Sequence, residues 1–435
     1  MLAEFQNIFK VPELKRKILF TIGILVVYRF GAHIPTPGIN AEALASFFAA
    51  QAQGTLLGLC DLFSGGALSR LTLFALGIMP YIDASIILEL LTVVFPFLQR
   101  LAKEGEAGRR KITQYTRYGT VLIGVVQSLG IAIGLEKMTS PAGASIVLNP
   151  GWGFRLLCVI TLTAGTVFLM WLGEQITEHG IGNGISLLIM SGIIVRLPSA
   201  VINSIRLLRT GELNPILLLV VLVFAVAVIG VIIFVEMGER KVMVQYAKRV
   251  VGRKVYGGQS THIPLKVNSA GVIPVIFASS IIIFPATIAR FINHPWMQAV
   301  ADWLTPGSLL YSILFVLFVI FFCYFYTAII FNPIDLADNM KKYGGFIPGI
   351  RPGKKTAEYI DYILSRITLV GAFYLATIAL VPQFITEMLN MPFSFGGIAL
   401  LIVIQVSLET VRQIESHLLM RYYEGFMKKL PHKRR

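Results

Sequence analysis

The sequence predicts an all-α, polytopic membrane protein, and three observations carry that prediction. Of its 435 residues 55% are hydrophobic and 14% charged, whereas a soluble globular chain carries about 25% charged residues. Apolar runs recur along the whole chain at lengths close to the roughly 20 residues that cross a bilayer. The 38 lysines and arginines gather in alternate connecting segments, which is how a membrane chain fixes its orientation.

Residues 1–17 are polar and basic and read as an amphipathic approach segment. No small-residue cleavage site follows the first apolar run, so no removable leader is expected. The first span is 18–30, and it stops at Pro35, Pro37 and Gly38, which forbid a continuing helix. Residues 40–54 are expected as an external loop.

The chain is organised around 55–96. The first part, 56–63, is apolar but only about two helical turns long, too short to span. Gly65 and Gly66 break it and Arg70 ends it. From 71 to 97 the chain is long enough to cross. A short helix, a Gly-Gly break and a spanning helix form a re-entrant pattern. Irregular backbone survives at membrane depth only inside protein or beside a water-filled cavity. The stretch thus predicts a cavity holding a short mobile element; the alternative is an amphipathic helix lying on the outer surface.

After a basic loop at 99–117, spans are expected at 118–135, 152–173, 185–201, 216–235, 270–291, 309–331, 367–388 and 395–411, ten in all. The cleanest is 216–235, uncharged before its last turn; the weakest is 185–201, which carries Arg196 and Pro198. The alternate segments that include both termini hold 30 lysines and arginines, and the other set holds 6. The positive-inside rule makes the first set cytoplasmic, so both termini lie inside and the re-entrant element enters from outside. Ten spans divide near 211–215 into halves 1–213 and 214–435. Five is odd, so the second half is inverted, and inverted repeats place a functional site between the halves near the midplane.

Two cytoplasmic segments exceed simple connectors. In 237–269, Val242, Val244 and Tyr246 alternate with other residues and Gly257–Gly258 gives a turn, which reads as a protruding hairpin. Segment 332–366 is basic and rich in Gly and Pro. Their charge serves orientation on solvated loops, or it serves docking; their length and the Tyr, Ile and Phe among the charges suit a partner.

Enzyme chemistry finds little support. Around Gly349, Gly353 and Lys354 the spacing of a phosphate-binding loop is missing. No HExxH or GxSxG occurs, and Cys60, Cys158 and Cys323 are scattered, with no disulfide or metal spacing. Gly180, Gly182 and Gly184 sit in a tight turn, read as a turn and not as a cofactor loop. No metal and no cofactor is expected. Asp83 and Glu89 lie at membrane depth and are functional candidates by default; about 600° of helix rotation separates them, so they share no face. An inverted-repeat secondary transporter using Asp83 or Glu89 is the alternative function.

The chain resembles the bacterial SecY family of protein-conducting channels through LFSGGALSR (62–70), FALGIMPYI (74–82), KEGEAGRRKITQYTRYGT (103–120), ITEHGIGNGIS (176–186), QYAKRVVGRKVYGGQSTHIPLKVNSAGVIPVIFASS (245–280), NPIDLADNMKKYGGFIPGIRPG (332–353) and YYEGF (422–426). The resemblance implies two five-helix halves around a central pore and a re-entrant plug at about 57–68, including Leu57, Cys60, Phe63, Gly65 and Gly66. It implies a pore ring of Ile78, Ile82, Ile185, Ile189, Ile276 and Ile402, a stiff β-branched collar that gates by dewetting. It implies a lateral gate between the second and seventh spans with Asp83, Asn268 and Phe284, where Ser279 and Ser280 are expected to bond Asp83. It implies partner docking through Arg253, Lys254 and Arg351, while Ile334 stands where relatives often carry a basic residue. The expected partners are SecE-like and SecG-like small membrane subunits, the SecA motor ATPase, the ribosome with its RNA, signal sequences, unfolded preproteins and membrane lipid. The expected site of action is the bacterial cytoplasmic (inner) membrane.

Overall fold

The computed structural model describes residues 11–51, 58, 61, 63–138, 144–211, 214–246, 249–251, 254–256, 260–291, 295–305, 307–388 and 396–428. Among the described residues the chain is mainly helical, with one three-stranded and one two-stranded antiparallel sheet. It forms two compact units, one of Met1–Leu213 with Ser280–Tyr311 and Ile402–Arg435, the other of Asn214–Ser279 with Ser312–Leu401.

In the first unit, α1 (Pro12–Gly31), α2 (Ala41–Gln51), α3 (Met79–Val94), α4 (Pro96–Lys103), α5 (Glu106–Lys137), α6 (Trp152–His179), α7 (Gly184–Ile194) and α8 (Arg196–Thr210) follow in order. Prolines open α1, α3 and α4 at their first turn, where a missing N–H costs nothing. The expected external loop at 40–54 is therefore largely helical. Its Leu44 and Phe47 pack with Leu68, Leu71, Ile131, Ile146 and Leu162 in one apolar core.

The second expected span is corrected. Its helix starts at Met79, not near 71, because Gly77 adopts φ +58° and Ile78 is the N-cap. At Phe95 the chain bends by 99° before α4, since Pro96 disfavours helical backbone in the residue before it. The basic loop expected at 99–117 is also mostly helix: α4 runs to Lys103 and α5 begins at Glu106.

In order after these come α9 (Pro215–Glu236), β1 (Glu239–Tyr246), β2 (Arg249–Val251), β3 (Lys254–Tyr256), β4 (Ser260–Lys266), α10 (Ile273–Phe291), α11 (Pro295–Trp303), α12 (Leu309–Ile330), α13 (Pro333–Lys342), β5 (Gly345–Phe346), α14 (Lys354–Met388) and α15 (Gly397–Lys428). Among the described residues seven helices are long and apolar enough to cross a membrane, eight if the bent α3–α4 pair is one broken span. The other two expected spans fall on α1, whose first turns carry Glu13, Lys15, Arg16 and Lys17, and on α10, whose continuous apolar run is Ile273–Ile283. On α9 Val221, Val228 and Ile232 are buried on one stripe while most of the other apolar side chains face outward, Phe234 being 81% exposed, as a lipid-facing helix requires.

The hairpin expected at 237–269 is present. β1 pairs antiparallel with β4, Val242 opposite Ile263 and Val244 opposite Thr261, and β2 pairs with β3 beyond it. β5, from the other basic segment, adds to the free edge of β1 through Gln245–Phe346. Segment 332–366 is corrected from loop to structure: α13, β5, then α14 from Lys354. Val242, Val244, Leu265, Met340, Ile347, Ile360 and Leu364 form one core, so the two basic segments fold as a single subdomain.

Candidate functional site

The re-entrant segment makes the site. Leu57 and Cys60 lie outside the described residues; Asp61 and Phe63 are helical, and Ser64 to Ile78 follow as successive turns. Gly65 and Gly66 take φ +66° and +83°, a region glycine enters without cost, and this is what folds the segment back. The segment closes on itself: Gly66 N donates to the Asp61 carbonyl at 2.9 Å, and Ser69 N donates to Asp61 Oδ1 at 2.8 Å. Phe63, Ser64 and Ala67 are buried.

Three helices of the same unit hold it. From α1, Tyr28 donates its hydroxyl to the Ser64 carbonyl at 3.4 Å and Arg29 donates to the Gly65 carbonyl at 3.3 Å. From α7, Gly192 lies directly against Gly65: a Cβ on Gly65 would stand 2.7 Å from the Gly192 Cα. From α8, Arg196 donates to the Asp61 carbonyl at 3.1 Å and pairs with its carboxylate. Tyr28, Arg29, Asp61, Gly192 and Arg196 are the residues the motifs missed. The charges of Arg29 and Arg196 inside or beside apolar runs are the signal that marks two of them.

The turn at Gly180–Gly184 sets α7 in place. Ile181 N donates to Thr21 Oγ1 at 3.1 Å, Gly182 N to Gln413 Oε1 at 2.9 Å and Gly184 N to Thr177 Oγ1 at 3.0 Å, so α1, α6 and α15 grip one turn. A Cβ on Gly184 would meet the Gly173 carbonyl at 1.9 Å. Asn183 caps α7 by accepting from the N–H groups of Ile185 and Ser186. The glycines serve close packing.

Of the six expected ring isoleucines, Ile78, Ile82, Ile189 and Ile402 are buried within the first unit and Ile185 is half-buried there, while Ile276 is buried in the second. Ile82 N donates to the Ile78 carbonyl at 3.1 Å, so these two lie one turn apart. Asp83 is corrected in its partner: its Oδ2 accepts from Gln127 Nε2 on α5 at 2.9 Å. Ser279 bonds the Ile276 carbonyl of its own helix, and Ser280 points its hydroxyl at Met79 Sδ, 3.9 Å away. Asn268 donates to Glu236 Oε1 at 2.7 Å and clamps the turn ahead of α10 through Gly271. Phe284 and Lys254 lie in α10 and β3, their side chains outside the described residues, as is all of Arg253. Arg351 is exposed between Gly349 (φ +80°) and Gly353 (φ +103°), its carbonyl accepting from Thr356 Oγ1 at 3.0 Å. Ile334 is 63% exposed on α13.

Lipid-exposed apolar helices together with a buried, glycine-hinged, non-helical segment define a polytopic membrane protein built around a closed re-entrant element. Known proteins narrow this. The SecY family profile matches residues 72–411. The chain is 53% identical over 421 residues to the protein translocase subunit SecY of Escherichia coli K12, covering 96% of this chain and 94% of that one. It is 48% identical over 423 residues to that of Aquifex aeolicus, covering 97% and 98%. Its fold matches the solved structure of a protein-conducting channel with a TM-score of 0.63 at 18% identity, covering 94% of this chain and 96% of that one. It also matches Sec61 in the canine ribosome–channel complex with a TM-score of 0.61 at 18% identity, covering 94% and 96%. The chain belongs to the SecY family. It is a protein-translocation channel and not an enzyme, and the carrier alternative resting on Asp83 or Glu89 has no support.

Proposed function

We propose that the chain passes unfolded polypeptides across the bacterial cytoplasmic membrane, with both termini inside, and releases hydrophobic helices sideways into lipid. The observation that carries this reading is the re-entrant segment itself: a hinged plug, buried against α1, α7 and α8, that must leave for a chain to pass. In this reading 1–213 and 214–435 are the inverted halves, and Ile78, Ile82, Ile185, Ile189, Ile276 and Ile402 form the apolar ring between them. Such a ring seals by excluding water and yields to a passing chain without binding it. Asp83, Asn268 and Phe284 belong to the lateral gate, where an apolar segment partitions by its own transfer free energy.

The shared core of the two basic segments supports a docking role, since a solvated orienting loop needs no core. Arg253, Lys254 and Arg351 meet the ribosome, including its RNA, and the SecA motor. The Sec61 neighbour stands in a ribosome–channel complex, which favours this surface. SecE-like and SecG-like subunits complete the channel. The test is photo-crosslinking from Ile82 and Ile189 to an arrested secretory polypeptide in sealed membrane vesicles. Adducts at both positions, absent without the arrested chain, are expected; export that proceeds with no adduct at either position overturns the pore assignment.

A further inference from the structure

The plug is joined to its seat by one ionic contact, and the geometry of that contact is asymmetric. Asp61 sits at the start of the turn, its side chain 8% exposed, and Arg196 sits at the start of α8, its side chain 34% exposed. Asp61 uses both carboxylate oxygens: Oδ1 accepts from Ser69 N at 2.8 Å, closing the plug turn, and Oδ2 takes the guanidinium. The same guanidinium nitrogen also reaches the Asp61 carbonyl at 3.1 Å. The remaining polar contacts to the seat are neutral acceptors on the plug, the carbonyls of Ser64 and Gly65. Among the described residues, then, Asp61–Arg196 is the sole ion pair between plug and wall.

We propose that Arg196 is a positioning residue that latches the plug through Asp61, so that opening turns on the loss of this one pair. The inference rests on the channel reading. A buried pair is weak when compared with apolar replacements, yet removing one partner strands the other charge. When the plug leaves, Asp61 travels with the plug turn and Arg196 stays on the wall, and water solvates both. The closed state alone needs the match.

This predicts a particular pattern. Arg196→Ala strands a nearly buried carboxylate in the closed state, whereas Asp61→Asn, which keeps an oxygen for Ser69 N, strands a guanidinium that is already one-third exposed. The test measures potassium leak, and export of a reporter with a shortened apolar signal core, in sealed vesicles from cells expressing the full chain. Arg196→Ala is expected to raise resting leak about tenfold, equal to about 1.4 kcal/mol of closed-state bias, and to admit the weak signal. Asp61→Asn is expected to raise leak less, and the double variant Arg196→Ala with Asp61→Asn less than Arg196→Ala alone, because no stranded charge remains. Should Arg196→Ala not accumulate, Arg196→Gln with Asp61→Asn completes the same cycle. A tight Arg196 variant, or single effects that simply multiply in the double, overturns the latch. Export of a reporter with a full signal is scored in the same vesicles; its absence in the unmodified chain would count against the channel reading and not against the latch.

Discussion

At Gly65 an added Cβ would meet backbone of Gly192 at 2.7 Å, and φ there is +66°, whereas a Cβ at Gly192 would stand 3.3 Å from Gly65. The two glycines touch, but substitution is not symmetric. Gly65→Ala adds a left-handed cost of roughly 1–2 kcal/mol to a clash with backbone that cannot swing aside. Gly192→Ala asks only for a small shift. Resting potassium leak is therefore expected to rise with Gly65→Ala and little with Gly192→Ala; equal tightness of both would mean that the plug is not seated through this contact. Asp83 obeys a similar local logic. Replacing it by Leu leaves the Gln127 amide without its acceptor, at a cost of about 1–3 kcal/mol, while Asp83→Asn keeps an oxygen within reach. In detergent, Asp83→Leu is expected to lower the unfolding midpoint, Gln127→Leu to recover part of it, and Asp83→Asn to be nearly silent. The need of Asp83 for a polar partner was legible in the sequence. The partner was not, because it lies 44 residues away on α5, and helix periodicity says nothing about which distant face comes to meet it.

Strand alternation at Val242 and Val244 was enough to read the β1–β4 hairpin, since period two leaves its mark in any half-buried strand. That this hairpin shares a core with α13 and α14 had no such mark, because Gly and Pro in 344–353 read as loop while their turns serve to bring Ile347 and Ile360 onto the sheet. The shared core has a consequence. Val244 is 1% exposed, and Val244→Asp would bury a carboxylate with no partner. Limited proteolysis of the detergent-solubilised protein is expected to cut 237–269 and 332–353 together in this variant. Cleavage confined to one segment would show that they fold separately. Arg351, at the exposed tip of the same subdomain, calls for a different outcome. Two positive-φ glycines hold its backbone, and a planar guanidinium suits a carboxylate or phosphate on a partner. Arg351→Glu is expected to abolish most motor-driven secretion at unchanged abundance; a parallel fall in abundance would make the residue structural.

Across the chain, length and hydropathy gave away most of the helices, and the exceptions have causes. α3 starts late because Gly77 and Ile78 turn the chain, and α14 starts early because its first turns are amphipathic and were hidden by their charge. The place of the re-entrant turn was marked by Gly65 and Gly66, whereas its seat had to wait for α1, α7 and α8 to come together. Orientation rests on the lysine and arginine bias of 30 against 6, and the chain is well suited to test it, because it has only three cysteines and Cys158 and Cys323 are buried. With Cys60→Ser as background, Ser145→Cys replaces an exposed residue between α5 and α6, and Tyr343→Cys replaces a side chain 77% exposed after α13. A membrane-impermeant maleimide added to intact cells stripped of their outer layers is expected to label Ser145→Cys at once and Tyr343→Cys only after the membrane is permeabilised. Labelling of Tyr343→Cys from outside would invert the chain and place the basic subdomain where neither a ribosome nor a cytoplasmic motor reaches it.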